Sequence, residues 1–323
     1  MIWKFRVMIS LLIGFLIEIL GLSPVFGEPK TNHDSELAIQ DSSVEIIFTG
    51  DLLLDRGVRQ VIRLRGEDYI FTHSIDSLFA TSDYVVANLE CPATQIQSPV
   101  FKQFVFRAEP KWLAVLKRHG ITHLNMANNH SIDQGRKGLL DSKRQIELAG
   151  MTAFGADSTM ESAAKPLLID SVPRRIYVVP TLRMPLENFA YLPDKPGVSM
   201  ESIDTLLQRI TTLRQNDPKC YIIVCPHWGI EHRLQPTFDL RVAARRMIDA
   251  GADCIIGHHT HTLQTIETYR GKTIYYSIGN FIFDQNKPIN SKAALVKLTI
   301  SSLSATVETL PIVIKDCQPR LCE

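Results

Sequence analysis

The chain has 323 residues, 45% of them hydrophobic and 21% charged, and its 35 basic and 34 acidic side chains leave a formal charge of +1. That composition excludes a disordered or fibrous protein, and the length accommodates one large domain or two modest ones with a core that needs no staples. No basic block or aromatic-interleaved basic stripe is present, so nucleic acid is not an expected partner.

Lys4 and Arg6 precede a run from Val7 to Leu22 in which Glu18 is the only charge, followed by Ser23-Pro24-Val25-Phe26-Gly27. This pattern predicts residues 1–27 as a signal peptide cleaved after Gly27 or as an N-terminal membrane anchor, and residues 28–43 as a polar linker. The run is at the short end of the roughly 20 apolar residues that a membrane span needs, so both alternatives stand. Either way the globular part, residues 44–316 with a tail at 317–323, is expected outside the cytoplasm.

Val44 to Phe48 reads as a first strand that exits at Thr49-Gly50-Asp51. A carboxylate at the carboxyl end of a strand is where open α/β sheets place ligands and chemistry. Tyr84 to Ala87 is a second strand, and its exit carries Asn88 and Glu90, which share a face if the extended conformation persists. Gln103 to Arg107 alternates weakly, as an edge strand does, and Pro110 to His119 reads as a helix ended by Gly120. The third strand, Ile121 to Met126, opens into Asn128-Asn129-His130, and Gly138 to Ala149 follows as an amphipathic helix. Short strands at 152–154, 166–170 and 175–180 precede a Pro-rich loop and a helix from Met200 to Leu213 capped by Ser199. Tyr221 to Val224 is a strand that exits at His227-Trp228, and Phe238 to Ala250 is a helix.

The apolar run Ala252 to Ile256 then ends in Gly257-His258-His259-Thr260-His261. Strand periodicity would send His259 and His261 to one side, where two neutral imidazoles suit a borderline divalent ion. A last strand, Thr273 to Ser277, runs into Gly279-Asn280, and 293–300 with 305–314 read as a closing hairpin. Strand–helix alternation over this length argues for an α/β fold with many adjacent strands.

Five strand exits carry Asp, Asn, Glu or His, which one shared metal site at a sheet edge explains with a single cause. The donor set Asp51, Asn88, Glu90, Asn129, His130, His227, His259 and His261 mixes carboxylate, amide and imidazole. Such a mixture fits one or two divalent ions of the Mn, Fe or Zn type better than a closed structural zinc site. The chain has no Gly-x-Ser-x-Gly elbow, no phosphate-binding Gly-rich loop and no dinucleotide fingerprint. Of six cysteines, Cys220, Cys225 and Cys254 fall in or beside strand-like runs, and Cys317 and Cys322 are spaced for a small disulfide in an oxidising compartment.

Six ordered motifs between residues 44 and 285 resemble the CapA-type poly-γ-glutamate capsule biosynthesis proteins. They are Thr49-Gly50-Asp51 through Asp55-Arg56-Gly57; Ala87-Asn88-Leu89-Glu90-Cys91-Pro92; Asn128-Asn129-His130 through Asp133 and Gly135; Pro226-His227-Trp228-Gly229 with Glu231; Gly257 to His261; and Tyr276 to Asp284. That family is in turn similar to calcineurin-like metallophosphoesterases, which implies a four-layer sandwich of two mixed β-sheets flanked by helices. The resemblance implies Asp51, Glu90, Asn129, His227, His259 and His261 as metal ligands, with Glu90 in the bridging place. It gives His130 beside Asn129 the transition-state role, and Arg56 and Glu231 contacts to an anionic substrate. Leu53 and Ser131 stand where the phosphoesterase pattern has a histidine and an acid, and Glu90 where it has Asp, so one metal position is a ligand short. The implied function is synthesis, transport or surface attachment of poly-γ-glutamate or a similar anionic polymer, with membrane synthase subunits as partners. The alternatives are an extracytoplasmic metal-dependent phosphoesterase and a non-catalytic binding subunit of a membrane synthase.

Overall fold

The structure is a computed structural model that describes residues 42–322, so the expected leader or anchor and nearly all of the linker lie outside the described residues. Among the described residues no helix is long and apolar enough to cross a membrane.

In chain order the elements begin with β1 (Ser43–Leu52), α1 (Arg56–Arg65), α2 (His73–Ala80), β2 (Tyr84–Leu89), α3 (Leu113–Arg118), β3 (His123–Asn125), α4 (Gly135–Leu148) and β4 (Thr152–Phe154). β5 (Ala156–Asp157), α5 (Met160–Ala163), β6 (Leu167–Asp170), β7 (Ile176–Leu182), β8 (Gly197–Val198), α6 (Ile203–Asn216), β9 (Tyr221–His227), α7 (Phe238–Asp249) and β10 (Cys254–Ile256) follow. The chain closes with β11 (Ile266–Tyr269), β12 (Lys272–Tyr275), β13 (Asn280–Ile282), α8 (Pro288–Ser291), β14 (Lys292–Ser301), β15 (Ala305–Lys315) and β16 (Gln318–Leu321).

Two sheets dominate: β16-β15-β14-β1-β2-β3-β4 with β13 beside β1, and β11-β12-β10-β9-β7-β6. Strand parity assigns the layers. On β1, Ile46 and Phe48 face the second sheet, while Ile47 faces the helices α1 to α4. On β9, Tyr221, Ile223 and Cys225 face the first sheet, while Ile222 and Val224 meet Leu206 and Ile210 of α6 and Ala244 and Met247 of α7. Three apolar layers therefore separate helices, sheet, sheet and helices, which is the expected four-layer α/β sandwich of two mixed sheets flanked by helices. Burial on both faces explains why these strands read as unbroken apolar runs and not as alternation.

Four local expectations are corrected. Gln103 to Arg107 is irregular loop whose base is closed by a bridge between Ala93 and Ala108; Phe106 N and Arg107 N donate to Asp133 and Asp55, not to a strand. The helix expected from Met200 begins at Ile203, where Ser202 Oγ accepts from Thr205 N; Ser199 Oγ donates instead to the Pro180 carbonyl. The expected tail contains β16, paired antiparallel with β15 from Ile312 to Lys315. Its extended residues keep Cys317 and Cys322 apart as free thiols, because the four residues of strand between them alone span about 13 Å against a disulfide limit of about 7 Å between Cα atoms.

A candidate metal centre at the strand ends

The first sheet presents a polar row across parallel strands. Asp51 on β1 is level with Asn280 on β13 and with Asn88 on β2, and Asn88 is level with Asn125 on β3. The β1 register shifts between Phe48 and Asp51, an irregularity of the kind that re-aims a side chain at a strand end. Gly50 permits this crossing, since a Cβ there would lie 2.1 Å from the Gly279 carbonyl oxygen. On the second sheet His227 and His258 form a bridge at the exits of β9 and β10. Gly257 has the same origin as Gly50: a Cβ would meet the Tyr276 oxygen at 2.1 Å and Trp228 Nε1 at 2.7 Å.

The two sheet ends are tied directly. His258 Nε2–H donates to the Thr49 carbonyl (3.1 Å), so this first histidine of the cluster clamps β10 to β1. Asn88 Nδ2 donates to Asp51 Oδ1 (2.8 Å) and lies 3.3 Å from His227 Nδ1. His227 Nε2 reaches Asn129 Oδ1 at 2.8 Å and Glu90 Oε1 at 3.6 Å. His261 Nδ1 donates to Asn280 Oδ1 (2.9 Å), which turns Nε2 toward Glu90 Oε1 at 3.8 Å.

Two donor groups result, one of Glu90, His227 and His259 and one of Asp51, Glu90 and His261, each with its ligand atoms within 4.8 Å of one another. Both contain Glu90. The expected ligands are thus brought together, and Asn129 joins the first group through His227. The expected reason for the histidine pair does not hold. β10 ends at Ile256, and His259 and His261 lie in a loop with φ of 96° and 55°, a left-handed conformation that non-glycine residues rarely adopt. Their rings, 6.1 Å apart, serve different groups and do not converge on one point.

The electrostatics test whether a cation belongs here. Glu90 is fully buried, and among the described residues neither of its oxygens has a hydrogen-bond donor. Burial, reinforced by Asp51, pushes its carboxyl well above the ordinary range. Burial would also raise Asp51, but His261 and the other histidines hold it below the usual carboxylate range. Burial lowers His227 further with help from His259, and His259 is pushed down to about 4. Burial opposes charge on His261 too, yet Glu90 and Asp51 outweigh it and hold the imidazole at about 9. His259 Nδ1 is a further buried atom with no hydrogen-bond partner among the described residues. A buried carboxyl group with no hydrogen-bond donor, flanked by the neutral imidazoles of His227 and His259, is costly to bury, and it is the donor chemistry that a divalent cation takes. The residues fit the ion.

Beside the ligands, His130 Nδ1–H donates to Asp133 Oδ2 (2.8 Å), leaving Nε2 without a hydrogen bond among the described residues. Asp133 is held in turn by Phe106 N (2.7 Å) and by the buried Lys102 ammonium (2.6 Å), which also donates to the Asn129 carbonyl (3.0 Å). Arg56, at φ 51°, forms a two-pronged pair with Asp284 and stacks against Phe106 and Phe283 at 5.3 and 5.5 Å. Those rings back His130 and His261 at 4.3 and 4.7 Å, so Arg56 stands at the rim with its charge already paired. Glu231 is exposed, 3.8 Å from His232, and its charge acts on Glu90, His259 and His261. Leu53 is packed in the apolar layer under the helices and offers no donor.

Sequence reading left Asp133, Asn280, His258 and Lys102 without roles. Asp133, three residues after His130, and Asn280, at another strand exit, carried a spacing signal. A lone lysine in an irregular loop carried none.

A family model described as "Bacterial capsule synthesis protein PGA_cap" matches residues 45–285. The chain is 31% identical over 283 residues to the PGA biosynthesis protein CapA of Bacillus subtilis, covering 86% of this chain and 74% of that protein. To the capsule biosynthesis protein CapA of Bacillus anthracis it is 28% identical over 290 residues, covering 87% and 70%. Among solved structures, a hypothetical protein from Thermus thermophilus aligns with a TM-score of 0.47 at 13% identity, covering 83% of this chain and 99% of that one. The chain belongs to the bacterial capsule synthesis family PGA_cap.

Proposed function

We propose that this chain is an extracytoplasmic accessory protein of capsule synthesis that engages poly-γ-glutamate, or a similar anionic polymer, at a divalent-cation pocket centred on Glu90. The observation that carries the reading is Glu90 itself, a fully buried carboxyl group that two donor groups share and that has no hydrogen-bond donor among the described residues. Family membership and the PGA biosynthesis relative supply the polymer. Residues 1–27 would export the chain or anchor it beside membrane synthase subunits.

Glu90, Asn129, His227 and His259 would hold a Mn, Fe or Zn ion, and Asp51, Glu90 and His261 would hold a second, where bound metal would supply positive charge for an anionic group of the ligand. The protein's own groups do the rest. Asp133 fixes His130 with Nε2 free to hold or give a proton. Asp284 and two aromatic rings fix Arg56 at the rim, where its unpaired edge contacts ligand anions.

A second reading, a metal-dependent phosphoesterase, is favoured by the combination of two donor groups with the His130–Asp133 pair. Metal analysis of the full-length protein separates the cases when polymer binding and phosphodiester hydrolysis are compared between wild type and His259→Ala. Stoichiometric metal, and polymer binding that falls about tenfold or more with the metal in the variant, is the expected result. Hydrolysis that disappears in the variant supports the phosphoesterase. Metal-dependent binding without turnover marks a non-catalytic subunit of a synthase. No bound metal together with unchanged polymer binding in His259→Ala would sink the pocket altogether. For the N-terminus, an intact Met1 in the mass of the mature protein rejects cleavage after Gly27.

A further inference from the structure

A cleft of about 650 Å³ lies between α1, the segment after β13 and the β15–β16 turn. It shares a wall with the metal centre. Phe283 lines the cleft and packs against the His261 ring at 4.7 Å. Gln285 lines it too, and its Oε1 accepts from Asn280 Nδ2 (3.1 Å), whose Oδ1 accepts from His261. Gly57 and Asp284, which tether Arg56, form part of the same surface.

The chemistry of the cleft has three components. Among the described residues, Arg65 and Lys315 are cations with no carboxylate partner, and Asp284 is already neutralised by Arg56, so Asp316 is the single unpaired acid facing them. Gln60 and Asn286 are amides with no hydrogen bond among the described residues. Leu64, 82% exposed, and Val313, 36% exposed, supply apolar surface. Solvated cations beside unused amides and aliphatic patches match a chain that alternates carboxylate, amide and methylene groups. A phosphodiester polymer offers no amide for Gln60 and Asn286, and a membrane surface would not enter a cleft.

We propose that this cleft binds the units of an anionic polyamide adjacent to the unit held at the metal centre, so that the polymer runs past His261 over Phe283 and between α1 and β15. The proposal rests on the polymer reading above and adds a place and a chemical class to it. Exposed cation–carboxylate contacts are individually weak, so the effect of the cleft grows with the number of units bound and falls with added salt.

The test measures binding of γ-linked oligoglutamates of increasing length to the full-length protein by calorimetry, at low and high salt. The wild type should bind longer oligomers more tightly until the cleft is filled, and should prefer them to α-linked oligoglutamate of equal charge. Arg65→Glu with Lys315→Glu should lose the length dependence and weaken long-oligomer binding about tenfold or more, with metal content and melting temperature at wild-type values. Gln60→Ala with Asn286→Ala should remove the preference for the γ-linkage without removing the salt dependence. Wild-type length dependence that survives the charge reversal overturns the cleft and leaves the polymer reading intact. No oligoglutamate binding by the wild type, in protein that carries its metal, overturns both. Equal binding of polyacrylate of matching charge, a carboxylate polymer with no amide, overturns the polyamide assignment, and a variant that loses binding to vesicles rich in phosphatidylglycerol but not to oligoglutamate assigns the surface to membrane instead.

Discussion

At the scale of single residues, Glu90 decides the chemistry. It belongs to both donor groups, so its replacement should act on both cations, whereas Asp51 and His227 each belong to one. Glu90→Gln should therefore abolish metal uptake, and the stability of the variant should no longer respond to added metal. Denaturation with and without metal checks this; a variant that metal stabilises as much as the wild type would contradict it. The two positions should also differ in affinity. Leu53 leaves the Asp51 group with three donors, whereas Asn129 gives the His227 group a fourth. Calorimetric titration with Mn²⁺ should resolve a tight and a weak class, with His227→Ala removing the tight one and Asp51→Asn the weak one. Loss of the tight class in Asp51→Asn would reverse the assignment. His261, held at about 9 by Glu90 and Asp51 against its burial, must lose a proton to bind a metal. Uptake at pH 7 should release protons, and affinity should fall as the pH drops.

At the scale of elements, the site is made by strands that approach more closely than side chains allow. Gly257→Ala places a methyl group 2.1 Å from the Tyr276 oxygen, between β10 and β12, with Trp228 on the other side. The expected cost is about 2–4 kcal/mol or loss of folding, read as a fall in melting temperature; a change within about 0.5 kcal/mol would contradict the packing. Truncation after Cys317 should likewise lower the melting temperature, since it removes β16 from Ile312 and Ile314, both buried. The same elements show what sequence can reveal. Runs such as Tyr221 to Val224 were legible as strands because both faces of the sheet are covered, and the polar exits were legible because each follows such a run. The left-handed conformations at His259 and His261 were not legible: they depend on the loop's contacts with Asp51 and Asn280, which are over 200 and about 20 residues distant respectively. Strand β16 was missed because Gln318-Pro319-Arg320-Leu321 carries no alternation, and its pairing comes from the edge that β15 offers.

At the scale of the whole molecule, the two sheets bury the candidate ligands where the β1, β2, β9 and β10 ends meet, so a metal bound there would add to the stability of the sandwich. Acid should act through buried neutral imidazoles. His123, on β3, is pushed from 6.5 down to about 4 by burial. The unfolded chain therefore binds a proton there before the folded one does, and stability present above pH 6.5 is lost as the pH falls toward 4. The difference amounts to at most about 3 kcal/mol, so His123→Leu should show a smaller loss of stability between pH 7 and 4.5 than the wild type in urea titrations. An equal loss would place the acid sensitivity elsewhere. The proposed polymer binding and the expected proton release and metal-linked stability all depend on one pocket, and anomalous diffraction from crystals grown with Mn²⁺ tests it most directly. The expected result is a peak bounded by Glu90, Asn129, His227 and His259, with a weaker second peak beside Asp51 and His261. Crystals that show no anomalous density against Glu90 would contradict the assignment.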